Sequence, residues 1–193
     1  MGYEPTPEKD IRRVSRKVVL TIGFAVAGIF GAWAPSALAC PGSHVGAEYL
    51  TTDQARASVV CLINKSRARN HVRPVHEHPL LDSAAQSHTD AMTSQDFFSH
   101  DGDGTPASRA SNAGYMAGAR AWGIGEDLFW GAVKRSTPSA TVNAWMHSAA
   151  HRSVMLSRSY RQVGIGVAQG SPAGADDTNT GTYTGLFGFR KGG

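Results

Sequence analysis

The feature that most constrains the fold is a helix that gives way to a glycine-spaced strand between residues 137 and 167. Thr137 can cap the helix and Pro138 suits its first turn. The apolar residues of the helix recur at helical spacing, at Val142, Trp145 and Met146. After a turn, β-branched residues alternate with glycines and leave one face of a strand nearly bare, at Val163, Ile165 and Val167. This block predicts a mixture of helices and sheet.

Two histidines in this block raise the question of a metal site. His147 and His151 are four residues apart, so on one continuous helix they would share a face, as metal ligands often do. The zinc-peptidase pattern requires a glutamate directly after the first histidine, and Ser148 stands there. The metallopeptidase motif is therefore absent.

The amino-terminal segment has the features of an export signal. Arg12, Arg13, Arg16 and Lys17 are followed by an uncharged apolar run over 18–33 and then by Pro35. Ala37-Leu38-Ala39 is a small-x-small cleavage pattern. The run is shorter than the roughly 20 residues of a membrane-spanning helix. We therefore expect 1–39 to be a signal peptide, with an uncleaved membrane anchor as the alternative.

Cleavage of the signal peptide lowers the net charge and limits the classes of expected binding partner. Residues 1–39 carry five basic and three acidic side chains, so cleavage lowers the net charge from +4 to +2. No Lys/Arg cluster with interleaved aromatic residues remains along the mature chain, and nucleic acid is not an expected partner. We expect a secreted monomer that meets a membrane only during export.

Two cysteines follow the cleavage site. Oxidising surroundings outside the cell favour a disulfide between Cys40 and Cys61, which would tie the new amino terminus to the first helix. The competing interpretation is a lipoprotein with Cys40 lipidated. Pairing is favoured because it leaves no free thiol at Cys61.

Helices come before the organising block and a strand follows it. Thr51 and Gln54 form a capping-box pair at the start of the first helix, and a second helix begins near Pro79 with His88 on its apolar stripe. His88 in that position is typical of a buried core histidine. A final strand over 182–189 is expected to pair back on 161–169.

Three separated motifs resemble the bacterial branch of the CAP superfamily (cysteine-rich secretory proteins, antigen 5 and pathogenesis-related 1 proteins). The first is the organising block, with Trp145-x-x-Ser148, His151-Arg152 and the Val-Gly-x-Gly-Val strand. The second is Phe97-Phe98-Ser99-His100 with Pro106 and Arg109 after it. The third is Gly125-Glu126-Asp127-Leu128, where Asp127 replaces the usual asparagine. The segment 61–69 with Val72-Arg73-Pro74-Val75 also resembles the opening of bacterial CAP domains. Taken in chain order, the resemblance covers roughly residues 54–189.

The resemblance implies a fold and a domain plan. It implies an α+β fold, a three-layer α–β–α sandwich with a small antiparallel sheet between helices. The chain then divides into the signal peptide (1–39), a mature amino-terminal segment (40–50) and the CAP domain (51–190).

The resemblance also implies a cavity with two histidines and an acidic residue. These are His100, on a loop, Glu126, which we expect on a glycine-flanked turn, and His151. Ser148 occupies the position of a second acidic residue of eukaryotic members. Asp127 beside Glu126 predicts either a raised pKa on one of the two carboxyl groups or a stronger cation site.

This residue set is compatible with three functions. Two imidazoles and a carboxylate suit a divalent metal such as zinc with an open water position, so the first is a binding module for a metal or a small apolar or envelope ligand. The second is a metal- or His-dependent hydrolase, although no nucleophile with an orienting base is visible. The third is a structural or interaction protein of the cell envelope.

Overall fold

The computed structural model of the protein describes residues 39–174 and 179–192. Five helices and four strands occur in these ranges. In chain order they are α1 (Thr52–Arg69), β1 (His76–Glu77), α2 (Pro79–Ser94), α3 (Pro106–Asn112), β2 (Ala121–Ala132), α4 (Pro138–His147), α5 (Ala149–Met155), β3 (Gln162–Gln169) and β4 (Thr180–Lys191). No helix within the described residues is long and apolar enough to cross a membrane. The apolar run 18–33 and the predicted cleavage motif up to residue 38 lie outside them.

The strands form one sheet in the order β1–β3–β4–β2. The three long strands are antiparallel, as the sequence predicts, and β4 pairs with both β2 and β3. The two-residue β1 pairs in parallel with the start of β3 and makes the sheet mixed. The final strand returns on the preceding one, which confirms the expected pairing.

Two hydrophobic layers cover the sheet, one on each face. Residues of α1, α4 and α5 pack on one face with Val163, Ile165 and Phe187 of the sheet. Leu81, Ala84 and Ala85 of α2 and Ala110 of α3 pack on the other face with Leu186. The three-layer α–β–α arrangement of an α+β fold is confirmed.

The glycines of β3 explain how α2 lies so close to the sheet. A Cβ atom at Gly164 would come within 2.0 Å of the backbone carbon of Leu81, and one at Gly166 within 2.3 Å of the Ala85 carbonyl oxygen. Any side chain at either position would therefore push the helix away. The strand face that the sequence predicts to be bare is the surface on which α2 packs.

The organising block folds as predicted up to its middle. The Thr137 side chain accepts a hydrogen bond from Ala140 N and caps α4, and Trp145 is fully buried with its indole N–H donating to the Leu128 carbonyl. The helix ends at His147 because Ser148 has extended backbone angles, φ −97° and ψ 125°. A new helix, α5, then carries His151. The two histidines are therefore not on one continuous helix.

The amino end of the described residues is tied to α1. Thr51 and Gln54 form the predicted capping box at its start. Cys40 and Cys61 form the predicted disulfide, closing 21 residues of chain. One local expectation was wrong: residues 121–132 form the long strand β2 rather than a glycine-flanked turn, because they pair along their whole length with β4.

Candidate functional site

Glu126 is the centre of a buried polar network on the α2–α3 side of the sheet. It lies on β2 opposite Leu186 of β4, and its side chain is 1% exposed. Its Oε1 accepts a hydrogen bond from His100 Nδ1 at 2.9 Å, and its Oε2 accepts one from Arg109 Nη2 at 2.6 Å. Both carboxylate oxygens are therefore used by side chains from other elements.

Arg109 joins Glu126 to the loop that carries His100. From the first turns of α3, its Nη1 donates to Asp103 Oδ1 at 2.8 Å and to the carbonyl oxygens of His100, at 3.0 Å, and Gly104. A single buried cation thus lies between two carboxylates and holds the loop backbone. Removing it would leave Glu126 buried without its charge partner.

His88 closes the network from α2. Its ring is fully buried, Nδ1 lies 2.7 Å from Asp103 Oδ1, and Nε2 lies 3.8 Å from Glu126 Oε1. The expectation that His88 is buried is confirmed, since the ring is inaccessible to solvent. The expectation that it is fully satisfied is not, because Nε2 has no hydrogen-bond partner among the described residues. His88 supports the site from behind.

His100 is the member of the network that faces solvent. Its side chain is 49% exposed, whereas that of Glu126 is 1% exposed. Donation from Nδ1 to Glu126 leaves the lone pair on Nε2. The buried carboxylate therefore fixes the ring with its second nitrogen available to a ligand or a proton.

His151 lies on α5, near enough to His100 for that residue's charge to act on it. Burial, and then the charge of His100, lower the pKa of His151 below the ordinary histidine value. Both causes favour its neutral form. A neutral imidazole can accept a proton or bind a metal ion.

Asp127 and Ser148 lie differently from these three residues. Successive residues of a strand point to opposite faces, so Asp127 points away from Glu126 into the α4 layer, where it is fully buried. Burial, and then the charge of Glu126, raise its pKa to about 8. Ser148 lies at the break between α4 and α5, and its side chain does not cap α5.

Three residues of the network were not among the predicted site residues: His88, Asp103 and Arg109. Arg109 belonged to one of the motifs, but its spacing carried no chemical signal. Asp103 lies in a polar loop whose composition is that of any turn. Only contact in the fold identifies them as partners of Glu126.

The network offers fewer free donor atoms than a complete metal site. Across residues 39–174 and 179–192, no group of three or more His, Cys, Asp or Glu side chains is arranged to hold a metal ion. Both oxygens of Glu126 are engaged, so the donors free to bind are the imidazoles of His100 and His151. In many metal sites the ligating histidine donates its other nitrogen to a carboxylate, and His100 has that arrangement with Glu126.

The fold and these motifs place the chain in a known family. A family model described as "Cysteine-rich secretory protein family" (CAP) matches residues 60–184. The match covers about two thirds of the chain and contains His100, Glu126 and His151. The protein belongs to the CAP family. No curated protein matches the chain at a significant level.

Solved structures of bacterial proteins share the fold. An extracellular protein with an SCP domain from Bacillus anthracis is 24% identical, with a TM-score of 0.55 over 74% of this chain and 44% of that one. An outer surface protein of Borrelia burgdorferi is 19% identical, with a TM-score of 0.57 over 69% of this chain and 90% of that one. A cysteine-rich secretory protein from Staphylococcus aureus is 18% identical, with a TM-score of 0.50 over 72% and 40%. The chain thus matches less than half of the Bacillus and Staphylococcus structures, and at these identities the likeness concerns the fold.

Proposed function

We propose that this protein is an exported binding module whose His100 and His151 imidazoles hold a divalent transition metal ion, or a small envelope ligand at the same place. The observation that carries the proposal is the His100–Glu126 hydrogen bond of 2.9 Å. It directs the proton of His100 to Nδ1 and leaves Nε2 with a free lone pair on a half-exposed ring. The lowered pKa of His151 supplies a second neutral imidazole.

In this proposal Glu126 positions His100 and Arg109 positions Glu126. A carboxylate behind a ligating imidazole fixes its tautomer and orientation and raises its basicity. Direct ligation by Glu126, which the family resemblance implied, would require it to exchange one of its present partners. We therefore assign Glu126 to the support of the site and the two histidines to ligand binding.

The donor chemistry selects the metal. Imidazole nitrogens suit zinc and copper, whereas magnesium and calcium prefer shells of oxygen ligands. Two protein ligands give weaker binding than the four of a structural zinc site and leave positions for water or a further ligand. A bound zinc ion would supply Lewis acidity at these open positions.

Export is part of the same proposal. It is supported by the basic, apolar and small-residue pattern of residues 1–39, by the family match, and by the disulfide, which is typical of oxidising compartments. The Bacillus relative is described as extracellular and the Borrelia relative as an outer surface protein. We infer the same side of the membrane for this chain.

A hydrolase is the second candidate, and one observation favours it. The His100–Glu126 pair has the geometry of a base oriented by a carboxylate, an arrangement that can draw a proton from a water molecule. No serine or cysteine hydrogen-bonds to His100 in the described part of the chain, so a covalent route has no support. Release of product from peptide and ester libraries, lost in His100→Ala, would favour this candidate over simple binding.

Zinc calorimetry at neutral pH tests the main proposal. We expect weak binding of one zinc ion, abolished in the His100→Ala, His151→Ala double variant. The matched control is His44→Ala, His147→Ala, which removes two histidines elsewhere and should bind as the parent does. Affinity should fall as pH drops through the lowered pKa of His151, below about 6.5, because protonated imidazole does not bind metal.

The Glu126→Gln variant tests whether Glu126 positions His100 or binds the metal ion directly. If Glu126 only positions His100, this substitution should lower the zinc affinity roughly ten- to a hundredfold without abolishing binding. Circular dichroism of each variant confirms that the fold is kept. Absence of binding heat, or binding that survives the double histidine variant, would leave the network with a structural role only.

A further inference from the structure

A concave site lies apart from the His–Glu network and is strongly basic. It is a cleft of about 640 Å³. Its lining includes five cationic residues and no aspartate or glutamate: Arg73, Arg158, Arg161, Arg190 and Lys191. His76, Ser159, Gln162 and Phe189 complete the lining. None of these residues belongs to the network around Glu126.

The sheet brings these cations together from three separated segments. Arg73 lies on the loop after α1, Arg158 and Arg161 lie between α5 and β3, and Arg190 and Lys191 end β4. The parallel pair His76–Gln162 and the antiparallel pair Gln162–Gly188 align the three segments side by side. A hydrogen bond of 3.0 Å from Arg161 N to the Gly188 carbonyl continues this alignment.

Within residues 39–174 and 179–192, no carboxylate forms an ion pair with the cations of the cleft. Among the described residues, the ion pairs involve Arg56, Arg109, His88 and His100, and none of the five cleft cations. The cleft cations also affect neighbouring groups. Burial, and then the charge of Arg161, lower the pKa of Arg67 to about 10. The pKa of His78 is lowered by burial and then by Arg190. Five like charges around one cleft repel each other unless an anion joins them.

The other lining groups suit an organic anion rather than a bare ion. Tyr115 donates its hydroxyl hydrogen to Gln162 Oε1 at 2.5 Å, which leaves the Gln162 amide NH₂ as a donor. Phe189 supplies an apolar surface. The volume lies within the range of roughly 300–1,000 Å³ that holds small organic ligands. Guanidinium groups match phosphate oxygens in a bidentate manner, which point charges do not.

We propose that this cleft is a binding site for a soluble organic phosphate that carries at least two negative charges. The arginines of the three segments contact the phosphate oxygens, and Phe189 packs against the organic part. This site is independent of the proposed metal site, so failure of one leaves the other standing.

The probe is 1-naphthyl phosphate, whose binding is measured by calorimetry with the disulfide-bonded protein at low and at moderate salt, and inorganic phosphate is the reference without an organic part. We expect one binding site whose affinity falls with added salt, because the contacts are ionic. Arg73→Glu, Arg158→Glu reverses two exposed cleft charges and should weaken binding at least tenfold. The control Arg69→Glu, Lys134→Glu makes the same charge change at exposed residues outside the cleft and should weaken it less than twofold.

Three results would overturn the proposal. The first is no binding of 1-naphthyl phosphate at low salt. The second is equal weakening by both double variants, which would reduce the effect to net charge. The third is binding to phosphatidylglycerol vesicles but not to 1-naphthyl phosphate, which would make the basic surface a membrane contact. Phosphatidylcholine vesicles are the neutral reference for that arm.

Discussion

Two neighbouring carboxyl groups, Glu126 and Asp127, meet opposite environments because a strand alternates its faces. Glu126 has a guanidinium and an imidazole within hydrogen-bond distance. Asp127 lies opposite Gly185 of β4, over which the Trp145 ring packs, and neither of its carboxylate oxygens has a hydrogen-bond partner within the described residues. The sequence predicted a raised pKa on one of the pair, and the fold assigns it to Asp127. Because the side chains of Glu126 and Asp127 point to opposite faces of the sheet, they are not placed to bind one cation together.

Asp127 should make the protein less stable as pH rises. Its folded-state pKa of about 8 lies above the unfolded value of about 3.9, so the native state keeps a proton that the unfolded chain releases. Its favourable contribution is complete below about pH 4 and is lost as pH rises towards about 8, by up to about 1.4 kcal/mol per pH unit. Asp127→Asn needs no proton and should flatten this dependence.

Urea unfolding of Asp127→Asn and the parent between pH 5 and pH 8 measures the difference. The exposed Asp101→Asn is the control and should follow the parent at every pH. Parallel curves for the parent and Asp127→Asn would mean that Asp127 is ionised in the native state.

At the scale of elements, α2 packs directly on the backbone of β3. The helix lies on Gly164 and Gly166, and its polar side chains reach the same strand: Asp82 accepts from Ile165 N, and Gln86 both accepts from Val167 N and donates to its carbonyl. This anchoring fixes α2, and with it the buried His88 behind Glu126. The alternating glycines indicated a bare strand face, but the identity of the helix on it came from the fold.

Gly166→Ala should destabilise the protein by about 1–3 kcal/mol, the usual cost of adding atoms to a close-packed core. The new methyl group would meet the Ala85 carbonyl oxygen, which belongs to the backbone and cannot rotate away. Gly123→Ala is a matched control on a neighbouring strand, since its methyl group would meet the side chain of Phe189. Thermal unfolding of both variants tests this, and an equal change in the two would contradict it.

At the scale of the whole molecule, the disulfide joins Cys40, near the start of the described residues, to Cys61 of α1. Closing a loop of this length should contribute about 3 kcal/mol, mainly by restricting the unfolded chain. Cys40→Ser, Cys61→Ser should therefore lower the free energy of unfolding by about that amount. Urea unfolding of the double variant beside the reduced parent provides the measurement, and agreement between the two serves as the control.

We also predict that the exported protein begins at Cys40 with no free thiol. Intact mass spectrometry of secreted material gives the start residue and the oxidation state together. A diacylglycerol adduct on Cys40 would instead support the lipoprotein alternative. A mass that includes residues 1–39 would support the uncleaved anchor.

Local information determined much of this protein. Capping residues placed the starts of α1 and α4, apolar spacing placed α1, α2 and α4, and alternating glycines placed β3, because these signals act between residues a few positions apart. Neither α3 nor the separate helix α5 was predicted. The motifs also identified His100, Glu126 and His151 as candidates. The glycines around Glu126 predict a turn, because turn propensity is local, whereas the pairing with β4 that makes this segment a strand is not.

Only the tertiary structure decided which side chains work together. Glu126 and Asp127 separate because the strand has two faces, while His88, Asp103 and Arg109 join Glu126 from three other segments. The basic cleft shows the same principle. The sequence predicts no Lys/Arg cluster with interleaved aromatic residues after residue 39, yet three segments distant in sequence line one surface with five cations. Charge and contact act through space, so groups far apart in the chain acquire a shared chemistry only when the sheet aligns them.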